Sequence, residues 1–191
     1  SYTKVGSVVF KLNFKGDFMK FGYFCNTTNW TQKPYHQLLD ETKEITEYCD
    51  KHKWNSIWFT EHHFNHEGME SCTNPLMLGA DAAARTKNIR IGQAANVITF
   101  HNPIRLAEDI ATLDQLSKGR VEVGVARGVY GREAINLNKE ADLKDQAKNF
   151  RLFAETLEIL KKAWSEKFFN HDGEFYTYPS PNYCLLYTSD A

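Results

Sequence analysis

The sequence predicts an α/β fold, four βα units of the (β/α)8 TIM-barrel type that make up the N-terminal half of such a barrel. Three observations predict it. Short β-prone runs alternate with segments whose apolar residues recur at helical spacing, in the order βαβαβαβα, which implies a parallel sheet with right-handed crossovers. No Gly-rich phosphate fingerprint accompanies them, since Gly124, Gly128 and Gly131 come nearest and have the wrong spacing for G-x-G-x-x-G. The run Ile57-Trp58-Phe59 ends in Thr60-Glu61-His62-His63-Phe64, which puts titratable groups at the carboxyl edge of a strand, where barrel chemistry sits. A flavodoxin-like sheet is the alternative reading.

The first β-prone run is Lys20-Phe21-Gly22-Tyr23-Phe24-Cys25. Residues 1–18 carry no comparable pattern and read as an upstream extension, with Met19 as the start of the domain. Tyr35, Leu38, Thr42, Ile45 and Cys49 recur every three or four residues and define one helical face. After the strand at 56–59, Pro75 opens a second helix with Leu76, Ala80, Ala83 and Ala84 on one side. Asn88-Ile89-Arg90-Ile91-Gly92 begins a strand that runs on towards Ile98. Pro103 opens a third helix with a stripe of Leu106, Ile110 and Leu113, closed by a base and a glycine at Lys118-Gly119.

Arg120-Val121-Glu122-Val123-Gly124-Val125 alternates as a strand. Beyond a polar segment, Phe150, Phe153, Leu157, Leu160 and Trp164 mark a fourth amphipathic helix, and their spacing makes these aromatics core residues rather than a cofactor box. Residues 172–178 read as a hairpin, broken off by Pro179 and Pro181. Residues 183–191 resemble the translation of a transposon-type sequencing adapter, so the domain is expected to span 19–182 and to be a fragment.

Composition narrows the function. With 23 basic and 24 acidic residues the net charge is −1, which suggests neither nucleic acid nor an anionic membrane as a partner. No apolar run reaches about 18 residues, so no transmembrane helix is expected. Cys25, Cys49, Cys72 and Cys184 are far apart and form no C-x-x-C pair, which reads as reduced thiols in a cytoplasmic protein.

The chemistry concentrates at Glu61-His62-His63. An imidazole can give or take a proton near neutral pH, and His62 is the candidate catalytic group. If the strand continues there, adjacent side chains point to opposite faces, which leaves His63 to packing or support. Glu61 is a candidate to orient His62 or to line a cofactor pocket; a solvated carboxylate is the plainer reading. His66 and Glu67 extend the cluster, but neither H-x-H nor H-E-x-x-H occurs, and no metal is expected. Trp30 and Tyr35 are candidates for lining a substrate pocket.

Several of these segments together resemble the bacterial luciferase-like, flavin-dependent monooxygenases. They are Lys20-Phe21-Gly22, Glu61-His62-His63-Phe64, Ile91-Gly92-Gln93-Ala94-Ala95, residues 103–109, residues 113–120, and Gly124-Val125-Ala126-Arg127-Gly128. The resemblance implies a (β/α)8 barrel about twice this long. It implies reduced FMN, supplied by a separate flavin reductase, reacting with O2 to oxygenate a small organic substrate such as an aldehyde or alkane. It implies a homo- or heterodimer at full length; a half barrel, with open strand edges and an uncovered apolar interior, is expected to be inactive alone.

By the same resemblance, His62 is catalytic and Arg127 grips the FMN phosphate, a task that suits a bidentate guanidinium. Ala94 and Ala95 take the place of a non-prolyl cis peptide against the flavin, where small side chains let the backbone approach; Asn96 is a further cofactor-binding candidate. A second phosphate-binding arginine is replaced near Phe150, with Lys148 and Arg151 as possible substitutes. Ala126 stands where bacterial luciferase has a reactive cysteine, which weakens a light-emitting reading. A noncatalytic partner subunit like the luciferase β chain is the alternative, and a deazaflavin-dependent relative a third.

Overall fold

The computed structural model describes residues 2–5, 8–11, 19–179 and 186–187. Its contacts divide the chain into two compact units, 1–96 with 116–124 and 97–115 with 125–191. The fold alternates as the sequence predicts.

The first unit carries a sheet in the order β1-β2-β3-β4-β5-β6. Its parallel part is β3 (Lys20–Cys25), β4 (Ser56–Phe59) and β5 (Arg90–Val97), with Trp58 opposite Phe24 on one side and Gly92 on the other, followed by β6 (Val121–Ala126). Two strands not predicted from the sequence, β1 (Tyr2–Val5) and β2 (Val8–Lys11), add to β3 in antiparallel register.

Between the parallel strands lie α1 (Tyr35–Lys51) and α2 (Pro75–Arg85). On α1 the buried line is Leu38, Thr42, Thr46 and Cys49, so Thr46 takes the place expected for Ile45. Both threonines tolerate burial because their hydroxyls donate to carbonyls one turn back, at 2.8 and 2.7 Å. The Asn74 side chain caps α2 by accepting from Met77 N–H at 2.9 Å, with Pro75 in the first turn. Its buried line is Pro75, Gly79, Ala82 and Ala83, and the predicted Ala84 is exposed. The core is filled by Ile57, Phe59, Ile89 and Ile91, with Cys25, Cys49 and Cys72 beside them.

One guanidinium ties the unit's far end together. Arg120 donates to the carbonyls of Ala83, Thr86, Ile89 and Ser117 and to the Thr86 hydroxyl, at 2.7–3.2 Å. It thereby satisfies carbonyls that the end of α2 leaves open.

The second unit is built on α3 (Pro103–Ser117), α4 (Gly131–Leu137) and α5 (Gln146–Ser165). Leu106, Ile110 and Leu113 are buried on α3 as expected, and Lys118 and Gly119 follow it with positive φ. The buried line of α5 is Asn149, Leu152, Thr156, Ile159 and Leu160, turned by one residue from the predicted aromatic stripe. Phe150 and Trp164 are exposed, at 58% and 41%. Polar Asn149 can occupy the core because its amide donates to Ala141 O at 2.9 Å, and this defeats a reading from hydrophobic spacing alone. The short α4 was not predicted.

The predicted hairpin is present as β8 (His171–Asp172) and β9 (Thr177–Tyr178), preceded by β7 (Phe168–Phe169), which pairs with β10 (Leu186–Tyr187). The Glu155 carboxylate of α5 accepts the N–H groups of Glu174, Phe175 and Tyr176 at the turn and lies 3.0 Å from His171 Nε2.

Candidate active site

In the first unit the chemistry begins where β4 stops. Phe59 is the last strand residue, and Thr60 and Glu61 are buried at the strand's carboxyl end. The chain then leaves sheet geometry, so the alternation argument that set His62 against His63 does not apply. Each histidine instead meets its own carboxylate. His63 Nε2 lies 3.1 Å from Glu61 Oε1, and His62 Nε2 lies 3.4 Å from Glu70 Oε1. Glu61, read as a candidate to orient His62, makes this contact with His63, while the carboxylate beside His62 comes from nine residues further along the loop.

That loop is secured at several points. His62 N–H donates to Cys72 O at 2.8 Å. Asn29 N–H donates to Gly68 O at 2.6 Å, and the Gln32 side chain donates to His66 O at 3.0 Å. The loops after β3 and β4 are thus knitted together. Gly68 has φ +79°, and a Cβ there would come within 2.2 Å of Asn29 O.

The second strand end contributes Ala94, Ala95 and Asn96 on β5. The Ala94–Ala95 peptide is cis, in agreement with the resemblance, and both residues are half-buried. Asn96 is buried, with Nδ2 3.5 Å from Gln93 Oε1. Gln93 escaped the sequence reading. It is fully buried, and its Nε2 has no hydrogen-bond partner among the described residues.

Arg127 lies in the second unit, one residue beyond β6. Its carbonyl accepts from Thr99 Oγ1 at 3.1 Å and from Asn149 Nδ2 at 3.3 Å, which fixes the backbone. Its guanidinium meets only neutral groups among the described residues. Nη1 reaches Gln146 Oε1 and Asn149 Oδ1, each at 3.4 Å, and the Phe150 ring lies 5.8 Å from Cζ. Gly128 follows with φ +89°.

Lys148 and Arg151, the candidate substitutes for a second phosphate ligand, each pair with a carboxylate. Lys148 Nζ pairs with Glu140 at 2.5 Å, and Arg151 grips Glu174 through two bonds at 2.7 and 3.0 Å. Phe150, near which the resemblance expects a second arginine, places its ring beside Arg127. Tyr35 lines a groove between α1 and α2 with Leu39, Met77 and Leu78, and Trp30 is 62% exposed on the loop before α1. Among the described residues, no group of three or more His, Cys, Asp or Glu is arranged to hold a metal ion. No helix among them is long and apolar enough to cross a membrane.

Comparison with known proteins fits this arrangement. The alkanal monooxygenase beta chain of Photorhabdus laumondii subsp. laumondii is 35% identical over 162 residues, covering 84% of this chain and 48% of the relative. The oxygenase component of flavin-dependent trigonelline monooxygenase from Acinetobacter baylyi is 32% identical over 162 residues, covering 84% and 43%. The oxygenating constituent of 3,6-diketocamphane monooxygenase from Pseudomonas putida, solved with FMN, superposes with a TM-score of 0.76 over 84% of this chain and 44% of that one, at 24% identity. The chain therefore spans about half the length of the relatives it matches. The family model described as luciferase-like monooxygenase matches residues 19–185, and the chain belongs to that family, with the α/β pattern of half its (β/α)8 barrel.

Proposed function

We propose that this chain is the N-terminal half of an FMN-dependent monooxygenase, which uses reduced flavin and O2 to oxygenate a small organic molecule. The observation that carries the reading is the acid-histidine tip after β4 in a chain of this family. The relatives named for alkanals and for trigonelline set the class of chemistry and leave the substrate of this chain open.

The residues present fit a flavin. Arg127 offers a guanidinium that no carboxylate neutralises among the described residues, which suits a phosphate dianion. Beside the half-buried Ala94–Ala95 peptide, Gln93 presents a buried amide N–H2 that a polar ring edge would satisfy. In this reading Ala94, Ala95 and Asn96 serve the flavin ring and Glu61 holds His63 at the tip after β4; Arg127 is, by itself, the candidate phosphate ligand of its own unit. The flavin supplies the oxygen chemistry. His62 moves the proton at its ring nitrogen, largely shielded from solvent at the end of β4. A separate reductase supplies the reduced flavin, and the complete protein is a cytoplasmic dimer.

The identity to an alkanal monooxygenase beta chain favours a second reading, a noncatalytic partner subunit of the same fold. The retained Glu61, His62 and Arg127 support the enzyme over that alternative.

The phosphate assignment has a direct test in the chain completed to the length of its relatives. FMN is expected to bind at least tenfold more tightly than riboflavin, because charge-assisted hydrogen bonds contribute about 1.5–3 kcal/mol each. Arg127→Ala should erase that preference and leave riboflavin binding unchanged. Equal affinity for FMN and riboflavin in the unsubstituted protein would remove Arg127 from the site.

A further inference from the structure

We infer that Glu70 is the positioning residue of His62, fixing the ring and keeping the proton on Nε2. This inference rests on the reading of His62 as the proton-handling group, but the pairing itself can be tested without any flavin.

The geometry singles out this carboxylate. Glu70 Oε1 lies 3.4 Å from His62 Nε2, and the two side chains are only 17% and 14% exposed. A carboxylate–imidazole contact sheltered this far is screened less than one in open solvent. Of the neighbouring acids, Glu61 lies beside His63, and Glu67 beside His66 on an exposed stretch. The second oxygen of Glu70, Oε2, is buried and has no hydrogen-bond partner among the described residues. A carboxylate held with one oxygen so placed is costly unless the other is committed to a donor. His62 Nε2, 3.4 Å from Oε1, is a donor within reach of it.

The backbone around Glu70 is held from both sides, which is what a positioning group needs. On the near side, Gly68 N–H donates to Asn65 O at 3.2 Å and Met69 N–H donates to Asn65 Oδ1 at 3.3 Å. From the first loop, Asn29 N–H donates to Gly68 O and Asn26 Nδ2 donates to Met69 O at 3.4 Å. On the far side, Cys72 O accepts from His62 N–H, so the residues flanking the pair close on each other.

The chemical consequence follows from the two ring nitrogens. A carboxylate accepts from Nε2–H, so the neutral ring carries its proton there and its lone pair on Nδ1. Nδ1 is then the nitrogen that can take a proton in the reaction. Glu70 touches neither substrate nor cofactor in this account and acts through His62.

The test is proton NMR of the full 191-residue chain, labelled with 15N and kept cold to slow exchange. A downfield ring N–H signal assigned to His62 by its loss in His62→Asn is expected. A second, from His63 facing Glu61, serves as the internal control. Glu70→Ala should abolish the His62 signal, and the isosteric Glu70→Gln should move it upfield, while the His63 signal and the backbone amide spectrum stay in place. A His62 signal absent from the unsubstituted chain, or unchanged in Glu70→Ala, would overturn the inference. In the completed protein, Glu70→Gln should alter flavin reoxidation in the same direction as His62→Ala and by less. An effect of His62→Ala with none from Glu70→Gln also overturns it. If His62→Ala itself has no effect, the monooxygenase reading fails, and the NMR result alone decides the pairing.

Discussion

His62 and His63 are adjacent in sequence and alike in type, yet the structure gives them different carboxylates. Strand alternation could separate them only if β4 ran on to residue 63, and it stops at Phe59. The partners, Glu61 and Glu70, lie two and eight residues from their histidines, and the second depends on how a loop folds back. Period and motif carry no information about such a return. The buried cysteines respond to their surroundings in a simpler way. Burial first, and then the proximity of Cys25, pushes the Cys49 thiol up to about 11. Burial first, with Cys25 and Glu61 adding, pushes Cys72 up to about 12, and burial raises Cys25 as well. The folded state therefore favours the thiols, a stabilisation present below the ordinary thiol range and lost as pH rises through the folded values. In Cys184→Ser protein at pH 8, a thiol reagent should leave Cys25, Cys49 and Cys72 unmodified in the native chain and label all three in guanidinium. Rapid native labelling would contradict their burial.

At the scale of elements, the order of strands and helices was legible because each apolar run and each Pro or Gly boundary acts locally. The rotation of α5 was not, since its core line includes Asn149 and Thr156, whose place depends on partners elsewhere. Glycines within strands mark close packing that composition does not disclose. A Cβ at Gly92 would fall 2.2 Å from the Trp58 ring on the adjacent strand. Gly92→Ala is expected to cost about 1–3 kcal/mol by forcing that ring aside. The cost should shrink in a Trp58→Ala background, and an unchanged cost there would point to another cause.

Asp50 at the end of α1 sets the pH dependence of one junction. Its Oδ1 accepts from Asn88 and Ile89 N–H at 2.9 and 2.8 Å, and its Oδ2 from Lys87 N–H at 3.1 Å. Burial is the largest single influence and opposes ionisation, but these three donors and the Arg120 charge together outweigh it and hold the carboxyl below its ordinary value. A depressed carboxylate stabilises above its unfolded pKa, about 3.9, and the contribution disappears as pH falls through the folded value. Asp50→Ala should lower stability by about 1 kcal/mol at pH 7 in urea unfolding, a gap that closes below pH of about 4. A gap independent of pH would refute the ionic account.

On the scale of the whole molecule, the chain carries four of the parallel strands and matches about half the length of its relatives. The family was legible because its motifs occur in order along nearly the whole matched span, 19–185. The substrate was not, because the pocket of a barrel is shaped by loops from all of its units. We propose that the complete protein controls the reaction of reduced FMN with oxygen through His62. The most direct measurement is rapid mixing of anaerobically reduced FMN and completed protein with oxygenated buffer, following the flavin spectrum. Reoxidation is expected on a course clearly different from that of free FMN and shifted back towards it by His62→Ala. Reoxidation identical to free flavin, with or without His62, would contradict it.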